Sequence, residues 1–115
     1  MRQDFSPEKY LTNINLLELT LRQLEKDFNE IGEQLTFSYE KISFENLVAS
    51  LKNQLIAIEN KRPGILNQLF YRIDLPEKKI KAVRDGNADF YFSAAELILK
   101  RELQKVVIRE YYKKI

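Results

Sequence analysis

The sequence predicts an all-α protein: one helical-bundle domain over residues 1–115, with three longer helices (about 7–34, 44–61 and 93–113) and two short ones (about 65–73 and 76–84). Three observations lead there. Apolar residues recur at alternating steps of four and three from Tyr10 through Ile14, Leu17, Leu21, Leu24, Phe28 and Ile31 to Leu35, and only an α-helix places all eight on one stripe. Three Gly and three Pro are too few turn-makers for a many-stranded β-fold. At 115 residues, 44% hydrophobic and 31% charged, the chain can bury one core and has the composition of a globular domain.

Each helix has its own signals. Ser6-Pro7-Glu8 reads as a helix start, with a capping hydroxyl, a proline at the first helical position and an acid against the positive end of the dipole. Gly32 can stop that helix or be carried through it; the seam reaching Leu35 favours a helix over 7–34 with a frayed end. Residues 36–42 read as a connector, with Phe37 and Tyr39 alternating as in a short extended piece. Ser43 caps the second helix, and Ile42 and Leu47 form a hydrophobic staple around it. Its stripe is Phe44, Leu47, Leu51, Leu55 and Ile58, and Arg62-Pro63-Gly64 ends it.

Ile65, Leu66, Leu69, Phe70 and Ile73 mark a short third helix, and Pro76 opens another that carries Ile80 and Val83. Asp85-Gly86-Asn87 is a turn. Ser93 and Glu96 read as a capping box for the last helix, with Phe92 and Leu97 as its staple. Leu99, Leu103, Val106 and Val107 supply that helix's inner face.

Composition narrows the chemistry. With no Cys there is no disulfide or thiol chemistry, which agrees with a cytoplasmic setting. With no His the chain lacks the commonest general acid/base and the commonest metal ligand. No signal peptide is visible in residues 1–20, and no apolar run approaches the roughly 20 residues of a membrane span. Charge is uneven. Residues 1–35 hold four Lys/Arg against seven Asp/Glu, a net −3, and residues 76–115 hold ten against six, a net +4.

Residues 85–96 resemble an EF-hand calcium loop. Asp85, Asn87 and Asp89 fall at its first, third and fifth positions, Ser93 at the ninth and Glu96 at the twelfth. The resemblance implies a calcium-binding helix–loop–helix. Phe90 stands where the loop needs glycine, and Arg84 where an apolar residue usually precedes it. A turn followed by a capping box explains the same residues, so no metal ligand is assigned.

Arg101, Lys105, Arg109 and Lys113 form a cationic stripe at steps of four, which opposes the helix unless anions compensate. Phosphate is one source, with Tyr111 and Tyr112 nearby for stacking, and would make this a basic nucleic-acid-binding domain. The preferred source is the acidic first helix, through Glu18 and Glu25. Leu16 and Leu19 lie opposite the seam, either packing under the Phe5 segment or making a small oligomer contact.

Signals for catalysis are thin. Gly32, Gly64 and Gly86 are too far apart for a phosphate loop, and carboxylates such as Glu30 and Glu33 sit on a polar helix face. No catalytic, cofactor-binding or metal-binding residue is assigned, and no cofactor or small-molecule substrate is inferred. The expected function is a non-enzymatic protein-interaction or assembly module, with a protein partner or self-association as a homodimer, and with neither nucleic acid nor membrane as its target.

Overall fold

A computed structural model describes residues 4–86 and 89–114. The chain is all-helical, with no strand among the described residues. A short 3₁₀ helix, Pro7–Lys9, precedes α1 (Ile14–Glu30), α2 (Phe44–Lys61), α3 (Ile65–Arg72), α4 (Glu77–Asp85) and α5 (Phe90–Lys113). Helix α5 is the central element. It packs against α1 and α2, with α4 and the 3₁₀ turn on its flank, while α3 closes the space between the ends of α1 and α2.

The first helix is shorter than the heptad seam. Ser6-Pro7 starts only a 3₁₀ turn, closed by the Tyr10 amide on the Pro7 carbonyl at 2.9 Å. The true N-cap is Asn13, whose side chain accepts from the Leu16 amide at 3.0 Å. At the other end Gly32 adopts φ +82° and stops the helix. The Glu33 amide reaches back to the Phe28 carbonyl (2.9 Å) and the Gly32 amide to the Asn29 carbonyl (3.0 Å), the paired bonds of a Schellman motif. Leu17, Leu21, Leu24 and Phe28 are therefore the helical part of the buried seam, Leu35 joins the core from the following loop, and Ile14 is 47% exposed.

Helix α2 starts and ends as the sequence predicts, with the Ser43 hydroxyl accepting from the Asn46 amide at 3.1 Å. The connector before it is irregular rather than a strand. Its backbone is held at Thr36, where the Gln54 side-chain amide both accepts from the Thr36 amide (2.8 Å) and donates to the Thr36 carbonyl (2.9 Å). At the next turn the Glu59 carboxylate accepts from the Gly64 amide (2.6 Å) and the Leu66 amide (3.1 Å). A side chain of α2 thus caps α3, satisfying donors that Gly64 cannot.

Helix α3 ends on a second Schellman motif, with Asp74 at φ +60° and the Leu75 amide returning to the Phe70 carbonyl at 3.1 Å. Helix α4 buries no residue fully and rests on α5 through half-buried Ile80 and Val83. Helix α5 begins three residues before the expected start. Asp89, not Ser93, is its N-cap: the Asp89 carboxylate accepts from the Tyr91 amide at 2.9 Å and forms an ion pair with Lys52 of α2 at 2.5 Å. A carboxylate that both caps and pairs outcompetes a serine that only caps. Ser93 and Glu96 therefore lie inside the helix rather than forming a capping box, and Phe92 is 44% exposed rather than stapled.

Candidate functional site

Between the end of α1 and the outer face of α3 runs an open groove of about 730 Å³, lined by Asp27, Ile31, Asn67, Gln68, Tyr71 and Arg72. Its geometry follows from the helical repeat. On α3 the residues Ile65, Leu66, Leu69 and Phe70 turn into the core, which leaves Asn67, Gln68, Tyr71 and Arg72 on the opposite side. The Tyr71 ring is 90% exposed, and Arg72 pairs with Glu30 of α1 across the groove.

Behind the groove lies a buried carboxylate pair. Asp27 on α1 and Glu102 on α5 are neighbours inside the bundle; Glu102 is 0% exposed and Asp27 7%. The Gln23 amide of the preceding turn donates to Asp27 Oδ1 at 3.2 Å. Lys105 Nζ pairs with Glu102 Oε1 at 2.7 Å, while Asp27 Oδ2 and Glu102 Oε2 are closed to water and lack a donor. Desolvation, and then the neighbouring Asp27, pushes the Glu102 carboxyl up to about 8. This cluster brings two acids and one amine together, a juxtaposition that no local sequence pattern announces. Asp27 Oδ2 and both Glu102 oxygens are closed to solvent, so the pair can hold a proton but offers none of these atoms to a substrate in this conformation, although Asp27 also lines the groove.

The sequence did carry a trace of it. Glu102 falls on the α5 stripe running Ala95, Leu99, Val106, at the step where an apolar residue belongs, and Asp27 adjoins Phe28 on the flank of the α1 seam. An acid interrupting an apolar stripe is the local signature of a buried carboxyl.

A second buried acid corrects the placement of Glu33 on a polar helix face, whereas Glu30 does lie exposed on α1. Glu33 lies past the end of α1 and is 5% exposed. Arg62 Nη1 donates to Glu33 Oε2 at 2.6 Å and to the Ile31 carbonyl at 2.9 Å, while Lys61 Nζ donates to Oε1 at 3.0 Å. The Arg62 guanidinium holds the Glu33 carboxyl below its usual value. The arrangement is structural: it ties the turn after α1 to the end of α2.

The cationic stripe is engaged inside the chain, but not by Glu18 and Glu25. Arg101 reaches the Asp74 carboxylate (3.5 Å) and the side chain of Gln104 (3.0 Å). Lys105 faces Glu102, Arg109 donates to Gln23 of α1 at 3.0 Å, and Lys113 pairs with Glu110 at 3.2 Å. Glu25 instead accepts from the Tyr39 hydroxyl at 2.5 Å; burial, and then this bond, pushes that phenol up to about 12. Leu16 packs beside Phe5, Tyr10 and Tyr111, the intrachain alternative for that side of α1.

Residues 85–96 are divided between elements. Asp85 ends α4, Asn87 and Ala88 lie outside the described residues, and Phe90 to Glu96 are helical. Asp89, at the fifth loop position, is occupied as the α5 cap. A calcium loop needs its later positions to curve around the ion, whereas here they climb a helix.

Among the described residues no helix is long and apolar enough to cross a membrane. No family model, no curated protein and no solved structure matches this chain.

Proposed function

We propose that this chain is a non-enzymatic protein-binding module that docks its partner in the α1/α3 groove. The observation that carries the reading is Tyr71: a large amphipathic ring, 90% exposed, standing on a helix whose other face is fully packed. Tyrosine and arginine are the residue types most often found as energetic anchors of protein interfaces, and Tyr71 and Arg72 stand together on the groove wall. Gln68 beside them adds an exposed amide that can donate and accept, and Asn67, whose Oδ1 already accepts from Arg84, adds a donor. The partner is another protein or a second copy of this chain, in a cytoplasmic setting that accords with the absence of cysteine.

The test compares the parent chain with Tyr71→Ala. Sedimentation of the purified protein establishes whether it self-associates, and parallel affinity captures from native lysate reveal any other partner, whose affinity is then titrated with pure components. The reading expects one stoichiometric complex weakened at least about tenfold in Tyr71→Ala, a loss of roughly 1.4 kcal/mol or more. A complex of equal affinity in both proteins, or a monomer that captures nothing reproducibly, overturns it.

A further inference from the structure

Asp27 belongs to two places at once. It lines the α1/α3 groove, and it neighbours Glu102 in the interior, where its Oδ2 atom is closed to water. Two carboxylate oxygens there, Asp27 Oδ2 and Glu102 Oε2, are closed to water and have no donor, and Glu102 Oε1 has only the Lys105 ammonium at 2.7 Å. Two ionised carboxylates beside one ammonium would leave a net negative charge in an apolar interior, which burial strongly disfavours. A single proton removes the excess charge and supplies the missing donor as an O–H···O bond between the two acids.

No other group on the surrounding helices supplies that donor. From α1, the Gln23 amide is already on Asp27 Oδ1 and the Thr20 hydroxyl donates to the Leu16 carbonyl at 2.8 Å. From α5 itself, Lys105 is the one ammonium at hand, and Arg109 is turned to Gln23. The faces that α2 and α3 bury are apolar, and their charged groups are engaged elsewhere: Lys52 with Asp89, Lys61 and Arg62 with Glu33, Arg72 with Glu30.

We propose that Asp27 and Glu102 share one proton that latches α1 to α5, and that its release to water loosens α1 and reshapes the groove Asp27 also lines. After release two carboxylates repel each other across the α1–α5 contact with one lysine between them. Asp27 stands on α1 and also lines the groove, so repulsion from Glu102 acts directly on the groove wall. The latch operates whether or not a partner occupies the groove.

Carboxyl and methyl ¹³C resonances of the whole chain test this directly between pH 4 and 10. The Glu102 carboxyl is expected to titrate near pH 8, far above an exposed glutamate, and the Ile31 methyl in the groove to shift with the same midpoint. In Glu102→Gln the Ile31 shift should vanish, and in Asp27→Asn the Glu102 midpoint should fall, with far-UV circular dichroism constant in each case. A Glu102 midpoint between 4 and 5 overturns the shared proton. An Ile31 methyl that stays still while Glu102 titrates, or that moves equally in Glu102→Gln, overturns the latch. So does wholesale loss of helix at the same midpoint.

Discussion

The carboxyl of Asp27 on α1 meets that of Glu102 on α5 inside the bundle, with Lys105 Nζ 2.7 Å from Glu102 Oε1 as the nearby counter-charge. This contact makes stability depend on pH in a predictable direction. The Glu102 carboxyl is raised from 4.5 to about 8, so between those values the folded chain binds more protons than the unfolded one, and stability falls as pH rises. The contribution is fully present below pH 4.5 and lost through about pH 8; at most it is on the order of 5 kcal/mol, at about 1.4 kcal/mol per unit. Urea midpoints measured from pH 5 to 9 should decline for the parent and stay nearly level for Glu102→Gln, which should be the more stable protein at pH 9. A parent that gains stability across this range contradicts the assignment.

The acid limb has the opposite sign. Arg62 holds the Glu33 carboxyl below its usual value, so its contribution is present above pH 4.5 and is lost as pH falls through the lowered value. Glu33→Gln should therefore weaken the chain at pH 7 by about 1–3 kcal/mol, the cost of breaking a buried charge-assisted contact, and by much less near pH 2. Chemical denaturation at the two pH values reads the difference.

Leu24 is 0% exposed at the middle of the α1 seam. Leu24→Ala empties that site and should cost about 2–5 kcal/mol, whereas Ile14→Ala, on the same seam but 47% exposed, should cost under about 1 kcal/mol. Thermal or urea unfolding of the two variants measures both, and equal losses would mean that the helix buries the whole predicted seam.

That contrast shows what the sequence made legible. The 3.5-residue repeat identified a helix and its inward face, because side-chain direction follows from backbone geometry alone. It does not set the ends, because the apolar pattern runs on to Leu35 while the backbone stops at Gly32 and delivers Leu35 from a loop. Ser43 was readable as a cap because nothing nearby competes with it. Ser93 misled because Asp89, four residues earlier, gains an ion pair with Lys52 that lies distant in sequence. The acid pair stayed hidden for the same reason: Asp27 and Glu102 meet through tertiary packing, and only the break in the α5 apolar stripe hinted at burial. The groove was not legible at all, since it depends on where α3 rests against α1.

The start of α5 can be checked by substitution. Asp89→Ala removes both the cap and the Lys52 ion pair and should cost about 1–2 kcal/mol, while Ser93→Ala within the first helical turns should change stability by less than about 0.5 kcal/mol. The reverse order in a denaturation experiment would restore Ser93 as the cap.

The left-handed residues of the two Schellman turns make a matched pair. Gly32→Ala forces a side chain into φ +82° and should destabilise by about 1 kcal/mol, whereas Asp74→Gly at φ +60° relieves that strain and should be neutral or stabilising by up to about 1 kcal/mol. Unfolding midpoints of opposite sign are expected, with Asp74→Gly losing only its long, solvent-exposed contact to Arg101.

Docking in the α1/α3 groove is tested most directly by site-specific photocrosslinking in living cells. A photoreactive amino acid placed at Tyr71 samples the groove, and one placed at Asn53, on the exposed side of α2, samples a face with no assigned partner. The account predicts a discrete crosslinked species from position 71, weakened when Arg72→Glu is added, and none from position 53. Equal crosslinking from both positions, or none from position 71, would contradict a protein-binding role for the groove.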